Sequence, residues 1–147
     1  MTQSTVPLRE LTDALLTALR ANGPGIDVGD AEAPSNPNPS YPYAVLYPDV
    51  SPELTEEGGT LSDPSAHRII EWTLTSVGRT REQAQGCSDL MRATLHAATI
   101  TVSGRNLWRV DVGALGEIER DDDVKLGAVF GSLFYANDQI SIPNSPG

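Results

Sequence analysis

Two histidines, one cysteine and two acidic stretches are the side chains in this 147-residue sequence that could carry chemistry. His67 stands at the mouth of an expected strand, four residues after Asp63, and His96 falls late in an expected helix beside Leu95. Nucleophilic catalysis would need one of them within reach of a Ser, Thr or Cys87, with a carboxylate to orient the ring. In a loop, the Asp63–His67 spacing carries little information. Cys87 lies on the apolar stripe of a helix, where a small buried thiol is a simpler reading than a reactive one. A lone cysteine also excludes an internal disulfide. One Cys and two separated His cannot build a structural zinc site. Asp121-Asp122-Asp123 could meet a hard cation, but it lacks the alternating ligands and turn glycine of a calcium loop, so a solvated acidic turn is expected. No GxGxxG or GxxxxGK[ST] segment is present to cradle phosphates. No catalytic, cofactor-binding or metal-ligating residue is therefore assigned, and no cofactor is expected.

The charge balance narrows the partners. Twenty acidic against ten basic residues leave a formal charge of −10, with nine Arg and one Lys scattered along the chain. Partners held mainly through phosphates, and anionic membrane surfaces, both need clustered basic residues. No apolar run approaches the ~20 residues of a spanning helix. MTQSTVPLRE has no basic segment followed by an apolar one, so no signal peptide is read there. The length suits one domain, residues 1–147, and 39% apolar content suits a modest aliphatic core.

The elements that would position any site are centred on Arg68–Ala98. In RIIEWTLTSV, Ile70, Trp72 and Leu74 share one parity and Glu71, Thr73 and Thr75 the other, the pattern of a half-buried strand. Gly78 ends it. Thr80-Arg81-Glu82-Gln83 forms a capping box, and Ala84, Cys87, Met91, Thr94, Leu95 and Ala98, widened by Leu90, then make a helical stripe. A first helix is expected from Leu8, Leu11, Leu15, Ala18 and Leu19, closed by Asn22-Gly23-Pro24 as a left-handed cap and a breaker. Ile26–Val28 suggests a short strand, and four prolines among residues 33–42 an extended connector. YAVLY (43–47) is apolar on both faces, as a central strand would be. Residues 49–66 form a long acidic loop, read as a hairpin tip. ATITV and LWRVDV flank Ser103-Gly104-Arg105-Asn106 as an expected hairpin, with Ile100 and Val102 opposite Trp108 and Val110. Gly113–Gly131 is expected to be irregular, and Leu133–Ile142 a final strand with Phe134, Ala136, Ile140 and Ile142 on one face. The resulting fold class is α+β: two helices on one face of a mostly antiparallel mixed sheet, with two long acidic loops.

Glu53, Glu56 and Glu57 in the first loop and Asp121, Asp122 and Asp123 in the second contrast with Arg79, Arg81, Arg105 and Arg109 near the strand–helix turn and the hairpin. Acidic loops at one edge and arginines at another suit head-to-tail contact between identical subunits, closing into a ring where the rotation allows. The plain alternative is an acidic surface with no partner meaning.

YPYAVLYP, TSVGRTREQAQGCSDLMRATL, GRNLWRVDVG, ERDDDV and LFYANDQISI, in this order behind an amphipathic first helix, resemble the tail terminator proteins of long-tailed phages of high-GC actinobacterial hosts. The likeness runs from about Leu8 to Ile142. It implies a small two-helix, one-sheet domain assembling as a hexameric ring that caps the tail tube, ends its polymerisation and offers a docking surface to the neck connectors of the head. The partners implied are copies of the same chain, the tube protein and the connectors, with DNA passing through the lumen without specific binding and the protein residing in the virion. The family offers no catalytic residue to carry over. Another neck or tail-completion protein of related fold is the nearest alternative. A small α+β enzyme or ligand-binding module using His67, Asp63 or His96 is the alternative of a different class.

Overall fold

The computed structural model describes residues 8–34, 40–48, 53–54, 68–102, 105–107, 110–114, 116–126 and 129–146. Helix α1 (Leu8–Arg20) is followed by strands β1 (Val28–Asp30), β2 (Tyr43–Pro48), β3 (Glu53–Leu54) and β4 (Arg68–Gly78). Helix α2 (Arg81–Ala97) leads to β5 (Arg105–Leu107), β6 (Asp111–Ala114), β7 (Glu119–Leu126) and β8 (Val129–Pro146). The strands form one sheet, ordered β1-β2-β4-β8 (with β3 beside β4), and β5, β6 and β7 lie in succession along the far edge of β8. Only β1–β2 is parallel; every other pairing is antiparallel. The architecture is α+β, as the hydrophobic pattern implies.

Both helices cover the same side of the sheet. Leu11, Leu15 and Leu19 of α1 and Cys87, Met91 and Leu95 of α2 share a core with Ala44, Leu46, Trp72, Leu74, Ile140 and Ile142. The register explains the choice of face: Leu46 lies opposite Leu74, and Trp72 opposite Ile140, so alternate residues of three strands converge on one apolar side. Trp72 also donates its indole N–H to Thr12 Oγ1 at 3.0 Å, joining α1 to the middle of β4. The capping box forms: the Gln83 amide donates to Thr80 Oγ1 at 3.1 Å, and the Gln83 side chain accepts from the Arg79 amide at 2.8 Å, one residue earlier than the usual partner.

Four expectations are corrected. Neither Asn22 nor Gly23 takes the left-handed conformation; Asn22 closes α1 with its side chain, donating to Leu19 and Ile26 carbonyls and accepting from the Ile26 amide. The 98–112 hairpin does not form, because β5 and β6 both pair with β8, and Arg105-Asn106 lie in β5 rather than in a turn. The acidic segment 119–123 is not a loop. It belongs to β7, paired with β8 through a bulge between Asp121 and Val124, so one of the two expected acidic loops is a strand. The last strand does not end at Ile142; it runs to Pro146. Within 49–66 only Glu53–Leu54 lies among the described residues, and it forms β3.

Candidate functional site

The long strand β8 orders the charged residues. Gly78 faces Phe134 at one end of the β4–β8 ladder, and Arg68 faces Asn144 at the other. Arg79 and Arg81 follow Gly78 directly, and Asp121 sits opposite Leu133, so these residues share the first end. Glu53 pairs with Ile69, and Arg105 with Pro146, at the second. Arg105 therefore does not cluster with Arg79 and Arg81: Phe134 and Pro146 are twelve residues apart, about 40 Å along a strand. Asp122 and Asp123 occupy the bulge of β7. Glu56, Glu57, Arg109, His67 and Asp63 lie outside the described residues.

Each end has its own geometry. Near Gly78, residues of the 31–42 connector fold over the face opposite the helices, where Tyr43, Val45, Val77 and Leu133 form a second small core with Ala33, Tyr41 and Tyr135 against it. The Arg79 guanidinium lies 4.9 Å from the Tyr41 ring centre, and the Tyr41 and Tyr43 rings are 5.5 Å apart. Burial, with the neighbouring tyrosines adding to it, pushes the Tyr43 phenol up to about 12. Further along the same face the surface is polar. Thr75 donates to Asn137 at 2.7 Å and Gln139 to Glu71 at 2.5 Å, with Tyr47 exposed beside them. Among the described residues no helix lies on this half of the sheet.

Beyond Phe134 the β4 ladder ends, yet β8 extends five residues back to Val129. Val129, Phe130 and Gly131 are in register with Leu126, Lys125 and Val124 of β7 alone. At this end the described sheet is two strands wide. The sequence of this end carries Asp122, Asp123 and Lys125 with Val124, Leu126, Val129 and Phe130.

A buried polar group that the sequence reading passed over lies under α2. Asp138 is fully buried, accepts from Ser88 Oγ at 2.5 Å, and stands 3.8 Å from Arg92, which also pairs with Asp89. Its other carboxylate oxygen accepts no hydrogen bond. The signal was present: Ala136, Asp138, Ile140 and Ile142 share one parity, which places a carboxylate at an inward position of an apolar strand face. Burial pushes this carboxyl above the ordinary carboxylate range, and Asp89 adds to the push, while Ser88 and Arg92 pull it down. A carboxyl raised in the folded chain binds its proton more tightly there than when unfolded. The stability it contributes when protonated is lost as pH rises from the ordinary carboxylate range through the raised value. Asp138→Asn keeps an acceptor for Ser88 and removes the charge. Its melting temperature is expected to gain on the wild type as pH rises through that window, and a difference independent of pH would refute the assignment.

The remaining hollows offer less. Cys87 is buried and its thiol is pushed up by that burial, partly offset by the Ser76 hydroxyl, so it is not a ready nucleophile. His96 is exposed at the rim of a hollow of about 320 Å³ with Asp111, Gln139 and Ser141. A hollow of about 640 Å³ lies between the C-terminal ends of the helices and is lined by alanine, threonine and other uncharged residues. No described helix is long and apolar enough to cross a membrane. The chain matches no protein-family model and no curated protein.

Proposed function

We propose that this chain is a structural ring subunit of the tail terminator kind. In this role it caps a phage tail tube, ends its polymerisation and presents a surface to the head's neck connectors. The observation that carries the reading is the one-sided sheet: helices cover one face, while the other keeps a polar half with no helix among the described residues, and β8 runs on paired with β7 alone. Such a subunit presents a face and a sheet extension to neighbours rather than a pocket to a substrate. The sequence resemblance from about Leu8 to Ile142 supports the same role. The net charge of −10 suits walls past which DNA slides without being held. On this reading the protein works by steric fit, catalyses no reaction and resides at the tail–neck junction of the virion.

Mass in solution, measured by native mass spectrometry or light scattering from low to high protein concentration, tests this directly. The expected result is a discrete hexamer, or a monomer converting to one as concentration rises or as assembled tail tube is added. A dimer at every concentration, unchanged by tube, would sink the reading. Another neck or tail-completion protein is distinguished by its binding connectors or completed heads but not tube ends.

A further inference from the structure

We infer that Arg92 is a pH-set latch on α2: it turns inward to the buried Asp138 carboxylate once that group has lost its proton, and otherwise stays with Asp89 at the surface. The inference is independent of the ring reading. One guanidinium is shared between two carboxyls in unlike surroundings. Its Nη2 pairs with Asp89, whose side chain is 60% exposed, while its Nη1 stands 3.8 Å from Oδ1 of the fully buried Asp138. At that distance it attracts the group without donating to it. Oδ1 accepts no hydrogen bond, and Ser76 Oγ, buried on the same face, does not donate to it either. One hydrogen bond with Ser88 suffices for a protonated carboxyl. An ionised one has two oxygens that need donors, and a buried charge left half-paired costs far more than an exposed ion pair left open. Loss of the proton therefore transfers Arg92 from Asp89 to Asp138. Closing to a charge-assisted hydrogen bond takes about 1 Å, within the reach of a rotation in the arginine side chain.

The groups around Asp138 limit what else responds. On α2 they are Asp89 and Arg92, with the Cys87 thiol nearby. The neighbouring strands β4 and β6 place Leu74 and Ala114 opposite Asp138, neither of them charged. Arg120 of β7 lies over the Phe134 ring, four residues along β8. Arg92 and Ser88 line a hollow of about 360 Å³ beside α2, and Arg81 and Glu117 are the other charged residues on its wall. Burial keeps the proton on Asp138 to higher pH than an exposed carboxyl keeps it, so the latch turns above the ordinary carboxylate range. Turning inward takes the Arg92 charge off the wall of this hollow, leaving Arg81 and Glu117 there and Asp89 without its partner.

A pH titration followed by NMR tests it on the full chain. The Asp138 side-chain carboxyl carbon reports the proton, and the Arg92 Nε–H signal, assigned by its loss in Arg92→Met, reports the guanidinium. The Arg92 signal is expected to move with the same midpoint as the Asp138 carbon, to stand still in Asp138→Asn, and to keep that movement in Asp89→Asn. Arg92→Met is expected to raise the Asp138 midpoint by at least half a pH unit, a threefold change in proton affinity, because the ionised form loses its donor. That measurement decides the matter even where Asp138→Asn fails to fold. An Arg92 signal that still moves in Asp138→Asn, or that stays fixed while Asp138 titrates, overturns the latch. So does an Asp138 midpoint unchanged in Arg92→Met, or an Asp138 carbon that does not titrate while the chain is folded.

Discussion

Trp72→Ala is expected to remove about 3–5 kcal/mol of folding free energy, the cost of emptying a large aromatic site in a close-packed core. Trp72 is 1% exposed, sits at the centre of the helix-covered face, and is the donor that joins β4 to Thr12 of α1. The substitution thus leaves a cavity, separates α1 from the sheet and withdraws a hydrogen bond at once. Small domains have only about 5–15 kcal/mol in total, so a large fraction of the molecules would be unfolded or readily degraded. Trp72→Phe keeps most of the apolar volume and loses the indole N–H, and should cost about 1–2 kcal/mol. Urea denaturation followed by circular dichroism measures both. A loss under 1 kcal/mol for Trp72→Ala would mean that α1 is not anchored through this residue.

Gly78→Ala should cost about 2–3 kcal/mol, the overpacking penalty for a methyl with no room. A Cβ at this position would stand 2.6 Å from Gln83 Cβ and 2.7 Å from the Ala84 amide nitrogen. Both contacts belong to the first turn of α2, so neither yields by a simple side-chain rotation. The methyl must push the helix start away from the end of β4, where the capping box of Thr80 and Gln83 is formed. Gly86→Ala is the matched control. It lies exposed in the middle of α2 with open space around its Cβ position, and is expected to stabilise by about 0.5–1 kcal/mol through helix propensity. If the two substitutions shift the denaturation midpoint alike, close approach at Gly78 is not what demands glycine there.

The sequence by itself determined the elements whose own residues declare them. Leu11, Leu15 and Leu19, and Ala84, Cys87, Met91 and Leu95, recur at helical spacing, and Thr80 with Gln83 marks where α2 starts. Ile70, Trp72 and Leu74 alternate strongly enough to choose a face, and so do Ala136, Ile140 and Ile142. Local sterics and one apolar side suffice for these, and the α+β class follows from their order. The tertiary structure alone decided what pairs with what beyond them. β5 and β6 are three and four residues long, too short for an apolar face to specify a partner, and backbone hydrogen bonds accept any strand of suitable register. The long free edge of β8 supplied that register, so residues expected to form a hairpin with each other align on a third strand instead. The same strand buried Asp138, separated Arg105 from Arg79 and Arg81, and turned the acidic run at 119–123 from an expected loop into one side of a ribbon. Charge and spacing along the chain say which residues exist to make contacts; an edge eighteen residues long decides where in space each one stands.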